Sequence, residues 1–319
     1  MPEIYRVAAD SSERASDVPL DAAIVAELIA SQFPDLADAP VRPFGHGWDH
    51  NLFTVGSDWI FRFPKRADRV DWLVREIEIN GLVASALGSR TPVFDHIGTA
   101  SASFPYPFAG YRRLPGVGAD ERPPGDAAGL AADIAGVLAA LHRIDPGLIP
   151  PTPAAWERES WANLRNELAD QADAVRPLLD QDLLAQAEPY LTGSIPEPAQ
   201  DGPRRFIHND ICAEHLIVEP DSGRLVGLID LTDSMVGEVV LDFVGLIAGV
   251  GGYDFIFQVA AGYDLPLGAS FWPKLEWLAR TLTLTWLAEA AAEDPGDLGM
   301  HLSWVARAFQ PVMSSPRPA

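Results

Sequence analysis

Apolar positions recur at helical spacing through residues 20–33 and stop at Pro34, which predicts an amphipathic helix. Two short runs rich in aromatic and apolar residues follow, 51–55 and 58–63, split by Gly56-Ser57. That is the pattern of two strands joined by a turn. Helical spacing returns over 68–87, with apolar Val70, Leu73, Ile77 and Leu87, and then 91–98 and 107–114 read as two more strands. The first ~115 residues are therefore β-rich with one or two helices. Beyond them, 126–144 predicts a strong helix, 157–191 one or two more, and 270–292 another long one. This helical character breaks at 204–231, where apolar β-type runs surround a polar insert, and resumes from about Leu241. Pro-rich 146–153 and 195–203 read as loops, and the last few residues as a loose tail.

The pattern sums to an α+β architecture: a small β-rich N-terminal lobe over 1–110, a hinge near Gly110 to Gly116, and a large, mainly helical C-terminal lobe over 111–319. A length of 319 residues fits two such lobes, and a 48 % hydrophobic, 21 % charged composition supports a sizeable core. With 23 Lys+Arg against 45 Asp+Glu, the net charge of -22 argues against nucleic-acid or anionic-membrane partners and fits a cationic one or an acidic solubility coat. The single cysteine, Cys212, excludes an internal disulfide framework and suits a reducing cytosol. The N-terminus has no signal-peptide pattern, and the apolar stretch 236–252 is interrupted by Glu238 and Asp242, so a cytoplasmic protein without a membrane span is expected.

Chemistry concentrates in 204–233. Phe206-Ile207 runs into His208-Asn209-Asp210, an apolar run follows at 216–218, and a turn leads through 225–229 to Asp230. Two β-like segments joined this way can set Asp210, His215 and Asp230 around one cleft. Hard oxygen ligands with a supplementary imidazole suit Mg²⁺, and a carboxylate free of the metal can accept a proton from a hydroxyl. A zinc set of His208, Cys212 and His215, spaced 4 and 3 apart, is the competing reading. It would need a local helix between flanks that read as β.

The series His208-Asn209-Asp210, His215 five residues on, an apolar strand, then Ile229-Asp230 resembles the aminoglycoside and macrolide phosphotransferases, antibiotic kinases with a protein-kinase-like fold. The resemblance spans about residues 40–245. It implies a bilobal kinase-like fold and transfer of the γ-phosphate of ATP or GTP to a hydroxyl of an antibiotic-like small molecule, conferring resistance. Asp210 would be the catalytic carboxylate, His215 and Asp230 would hold Mg²⁺ (or Mn²⁺), and Asp242, with His208, would brace the catalytic loop. The family often continues Ile-Asp-Trp/Phe-Gly-Asp, whereas this chain reads Ile229-Asp230-Leu231-Thr232-Asp233, keeping both acids but losing the glycine.

The small lobe adds Phe44-Gly45-His46-Gly47-Trp48-Asp49, placed before the first strand as a phosphate-covering loop would be. Gly45 and Gly47 are the nucleotide-loop candidates, and Arg62 stands where the family commonly has its phosphate-binding Lys. Glu76 falls where the ion-pair Glu would lie, with Glu78 as competitor, and Lys65 is expected to be solvated. Tyr111 and Arg112 belong to a stretch resembling the inter-lobe linker that reads the purine, and His142 is expected to be a helix-capping residue. The C-terminal tryptophans, Trp156, Trp161, Trp272, Trp277, Trp286 and Trp304, accompany Glu289, Glu293, Asp294 and Asp297. Because 281–292 is more apolar than acidic, a macrolide acceptor is slightly favoured over an aminoglycoside. The alternatives are a kinase of a small hydroxylated metabolite and a non-catalytic kinase-like binding module. A monomer is expected.

Overall fold

Five strands of the N-terminal third form one antiparallel sheet in the order β1-β2-β3-β5-β4: β1 (Val41–His46), β2 (His50–Val55), β3 (Trp59–Pro64), β4 (Phe94–Gly98) and β5 (Phe108–Arg112). In this computed structural model the described residues are 15–47, 49–121, 125–152, 161–293 and 295–311. The chain divides into two compact units, Met1–Leu114 and Pro115–Ala319. Every residue of central strand β3 is buried. Phe53, Phe61, Phe63, Phe104 and Phe108 share a core with Val25, Leu28 and Ile29 of α1 (Ala22–Gln32). Each such side chain contributes about 1.5–3 kcal/mol on burial. Asp21 caps α1, its Oδ1 accepting the N–H groups of Ala23 and Ile24 at 2.9 Å.

Strand β1 escaped the sequence pattern. The expected phosphate loop before the first strand is in fact partly strand, since Phe44 to His46 end β1 and only the residues after His46 make the turn to β2. Pro43 obscured it, and the structure accommodates that residue on an edge strand with a register irregularity between Pro43 and Gly45. Gly110, expected at a hinge, lies inside β5, where a Cβ would collide with the Phe61 ring at 2.5 Å. The glycine is needed for packing at that position. The boundary drawn at residue 110 thus falls within this strand, which belongs to the first unit. Helix α2 (Val70–Leu87) completes the unit.

The second unit is mainly helical: α3 (Ala127–Leu141), α4 (Trp161–Val175), α5 (Gln181–Leu191), α6 (Leu241–Leu246), α7 (Gly252–Gly262), α8 (Phe271–Glu293) and α9 (Leu298–Ala308). Two small sheets lie among them. One orders β6 (Val117–Gly118), β8 (Leu216–Val218) and β9 (Leu225–Leu228) as β6-β8-β9, and the other pairs β7 (Arg204–Ile207) with β10 (Met235–Glu238). Buried Asp133 ties α3 to β9, accepting from Arg224 Nε and Nη2 at 2.6 and 2.7 Å and from Leu225 N–H at 3.2 Å.

Leu241–Gly262 is long and apolar enough to cross a membrane by length and composition, unlike the shorter interrupted stretch considered in the sequence. It is 61 % buried and packs against α3, α8 and α9, the environment of a core helix. Trp161 stacks on Trp277 at 6.0 Å, and Trp286 meets Trp304 edge-on at 5.9 Å. Trp156, Asp294 and the C-terminal tail lie outside the described residues, as does the side chain of Glu293.

Candidate active site

Strand β7 ends at Ile207, and His208-Asn209-Asp210 leave the sheet as a loop held from below by α6. Asp242, fully buried in the first turn of that helix, accepts the backbone N–H groups of His208 at 2.9 Å and Asn209 at 2.6 Å. Its Oδ2 also accepts from His142 Nε2 at 2.9 Å, while His142 Nδ1 takes the Tyr263 hydroxyl proton at 2.7 Å. One turn along α6, a Cβ on Gly245 would overlap the carbonyl oxygen of Ile211. Asp242 and Gly245 therefore present one helix face on which the loop rests. Asn209 is held at φ 67°, a left-handed conformation that a non-glycine residue keeps only when its surroundings fix it.

His208 is fully buried, and its hydrogen bonds define its protonation. Nε2 donates to the Ile229 carbonyl at 3.0 Å and Nδ1 accepts from the Asp210 N–H at 3.3 Å, a pattern only the neutral ring satisfies. Burial accordingly holds its pKa below the ordinary value. The Asp210 side chain is 47 % exposed and so open to an acceptor. His215 ends a short 3-10 turn, Ala213–His215, and its Nδ1 donates to the Asp210 carbonyl at 2.8 Å, leaving Nε2 to face Asp230 Oδ2 at 3.9 Å. Ile229 N–H donates to the His215 carbonyl at 3.1 Å, which sets Asp230 beside the ring. Burial disfavours a charged His215, but adjacent Cys212, Asp210 and Asp230 outweigh it and raise the ring well above the usual imidazole range.

The structure alters the zinc set. His208 is spent on backbone groups, and among the described residues those whose ligand atoms lie within 4.8 Å of one another are Asp210, Cys212 and His215. Burial pushes the Cys212 thiol up to about 11. Its Sγ lies 3.7 Å from Glu214 Oε1. Partial burial, together with Asp210 and Asp120, raises Glu214 above the ordinary glutamate value against the pull of His215.

In the first unit, Arg62 Nη1 donates to Glu76 Oε1 at 2.8 Å with both side chains buried, while Nη2 reaches His50 Nδ1 at 3.2 Å. Glu78 is exposed on the other face of α2. Lys65, expected in solvent, is buried, and its backbone bonds to the main chain of Asp17 and Asp49 at 2.8 Å. Gly45 lies in β1, and Gly47 sits in the β1–β2 turn with its N–H on the His50 carbonyl. Tyr111 packs edge-on to Phe94. The Arg112 guanidinium lies over Trp59 at 4.9 Å and beside Asp58, so it is committed to the β2–β3 end of the sheet.

The phosphotransferase enzyme family matches residues 40–278, well over half of the sequence. The chain belongs to that family. As a member it is a phosphotransferase that uses a hydroxyl group as acceptor. A GDP complex of a mutant aminoglycoside 2'-phosphotransferase-IIIa is 25 % identical with a TM-score of 0.73, over 90 % of this chain and 97 % of that one. The fold is also shared with a GDP and kanamycin complex of an aminoglycoside 2''-phosphotransferase (24 %, TM-score 0.68, 89 % and 97 % covered). It is shared too with a macrolide 2'-phosphotransferase from Brachybacterium faecium (21 %, TM-score 0.58, 90 % and 98 % covered). No match is found among curated protein sequences.

For this phosphotransferase, three loop supports lay beyond sequence reasoning. His142 caps α3, as expected, but its ring is buried and links Tyr263 to Asp242. Gly245 lies three residues after Asp242, and that spacing was the available signal for a shared helix face.

Proposed function

We propose that the protein moves the γ-phosphate of ATP or GTP to a hydroxyl of an amine-bearing antibiotic, an aminoglycoside-like polycation before a macrolide, and so confers resistance. The observation that carries this reading is the half-exposed Asp210 carboxylate, on a loop pinned by Asp242 and beside the His215–Asp230 pair. Asp210 orients the acceptor hydroxyl and accepts its proton as the oxygen bonds to the γ-phosphorus and the bond to the β-γ bridging oxygen breaks. Gly45 and Gly47 cover the phosphates and Arg62, steered by Glu76, neutralises them. Tyr111 and the backbone at Arg112 flank the base. Donor nucleotides fit the relatives solved with GDP.

The His215 and Asp230 donor set fits a divalent cation. His215 Nε2 and Asp230 Oδ2, 3.9 Å apart, would hold the ion, an imidazole and a hard carboxylate side by side with the Asp230 side chain partly exposed. When bound, Mg²⁺ or Mn²⁺ supplies charge neutralisation on the phosphates.

The macrolide preference rested on the apolar run 281–292. Its Thr281, Thr283, Leu284, Thr285 and Leu287 are core residues, so that apolarity serves packing. Asp120 and Glu214 place acids near Asp210, which favours an amine-rich acceptor. The protein is read as a cytoplasmic monomer.

The test is nucleotide consumption with Mg²⁺ across aminoglycosides, macrolides and small amino alcohols, wild type against Asp210→Asn. Turnover on an aminoglycoside, lost in the variant with nucleotide affinity kept, is expected. Silence across the panel, or a variant with near-normal turnover, would sink the reading.

A further inference from the structure

The catalytic loop carries two further donors, Cys212 and Glu214, that phosphoryl transfer does not use. Cys212 Sγ is 3.7 Å from Glu214 Oε1, and the same Oε1 is 4.0 Å from His215 Nε2. Around a tetrahedral Zn²⁺, with bonds of about 2.0–2.3 Å, a sulfur–oxygen edge is about 3.6 Å and a nitrogen–oxygen edge about 3.4 Å. The sulfur–oxygen separation agrees to about 0.1 Å, and the nitrogen–oxygen one is about 0.6 Å longer, a gap that a turn of the half-exposed Glu214 side chain closes. Asp210, whose ligand atom lies within 4.8 Å of those of Cys212 and His215, has its carboxylate 3.5 Å from His215 Nδ1 and, half exposed, can turn toward the ion as a fourth donor. Glu214 and Asp210 are each about half exposed, so solvent ions reach the cluster and its side chains can adjust. Thiolate, imidazole and carboxylate together select a borderline-soft ion over hard Mg²⁺.

We propose that Cys212, Glu214 and His215, with Asp210, form an inhibitory site for a thiophilic divalent cation such as Zn²⁺ or Cd²⁺. The site differs from the His208-containing set because His208 is consumed by backbone bonds. On binding, the Cys212 S–H and His215 Nε2–H bonds are replaced by metal–sulfur and metal–nitrogen bonds, and both protons leave to solvent. His215 Nε2 cannot serve this ion and Mg²⁺ at once, so occupancy excludes catalysis. The inhibitory consequence rests on the phosphotransferase reading, while the binding itself does not.

The experiment has two arms on the full chain. Co²⁺ added to the wild type should give a thiolate-to-cobalt charge-transfer absorption that Cys212→Ser and Cys212→Ala abolish. Zn²⁺ should suppress turnover, with relief by added Mg²⁺. The half-inhibiting zinc concentration, measured for each protein against its own zinc-free rate, should rise in both Cys212 variants by at least the roughly ten- to hundred-fold that loss of even an outer-shell partner costs. Equal zinc sensitivity of wild type and variants, or a cobalt spectrum they do not alter, overturns the proposal. A zinc-free wild type with no turnover on any acceptor would count against the phosphotransferase reading and leave the cobalt arm decisive.

Discussion

Asp242→Asn isolates the support of the catalytic loop, because it keeps the shape of the side chain and removes its charge. Three N–H donors converge on the carboxylate in full burial: His208 N and His142 Nε2 on Oδ2, and Asn209 N on Oδ1. An amide offers one oxygen. If it takes the Oδ2 place, the Asn209 N–H faces an NH₂ group. If it takes the Oδ1 place, the His208 N–H does. His142 can shift its proton to Nδ1, since the Tyr263 hydroxyl can accept, but a backbone N–H cannot. At least one buried donor is orphaned either way, at about 1–3 kcal/mol, and the surviving bonds lose charge assistance. The expected destabilisation is about 2–4 kcal/mol, a large share of a typical total of roughly 5–15 kcal/mol.

The functional effect should exceed the global one, because both backbone donors flank the left-handed Asn209 that aims Asp210. Urea unfolding followed by tryptophan fluorescence measures the first quantity, and steady-state kinetics the second. The turnover number should fall by roughly ten-fold or more, with the nucleotide KM little changed, since the lost contacts orient a transition-state group. A variant within about 0.5 kcal/mol of wild type, the range of ordinary surface changes, and with an unchanged turnover number would refute the argument.

Gly245→Ala should fold with reduced stability and lose turnover, since the new methyl must push the Ile211 carbonyl and the loop away; structure determination showing no loop shift would contradict this. Arg62→Ala should cost about 3–5 kcal/mol by breaking the buried Arg62–Glu76 ion pair. Arg62→Ala/Glu76→Ala should cost less than the two single changes added, while Arg62→Lys recovers part, and strict additivity in the cycle would disprove coupling. With its thiol near 11, Cys212 carries about three thiolates in ten thousand at pH 7.5, so alkylation should be slow and rise about ten-fold per pH unit up to that value. A rate that levels off near pH 8 would show an ordinary thiol.

What was legible in the sequence was local. Strands β2, β3 and β5 announce themselves by aromatic runs, and the His208–Asp210 and Ile229–Asp230 spacings mark the loop without reference to the rest of the chain. What was not legible depends on partners far away. His142 meets Asp242 100 residues later, so its helix-end position correctly suggests a cap and conceals a buried ring. Strand β10 is short and is defined by pairing with β7, from Met235 with Ile207 to Glu238 with Arg204. Lys65 looks like a solvated strand end until Asp17 and Asp49 close over its backbone. The apolar run 281–292 points to an apolar acceptor only while its side chains are unplaced, because composition does not say which side of a helix faces the core.

The glycine missing after Ile229-Asp230-Leu231 follows the same logic. A glycine is required in such a turn only where φ is positive. Here the positive φ, 66°, falls on Asp230 itself, and Thr232 is not among the described residues with positive φ. The Asp230 carboxylate closes the turn by accepting the Thr232 N–H at 3.3 Å, and Ser234 binds the Leu231 carbonyl through both N–H and Oγ, at 3.1 and 2.6 Å. Asp tolerates the left-handed region better than most residues because its short polar side chain bonds locally. The left-handed conformation of this turn therefore sits on the acid itself. Asn209 and Asp230 are the described non-glycine residues held at positive φ, and they are the neighbour of the proposed base and a proposed metal ligand. Backbone strain in this fold is concentrated where two carboxylates must be aimed, and the loss of the glycine is compatible with an intact site.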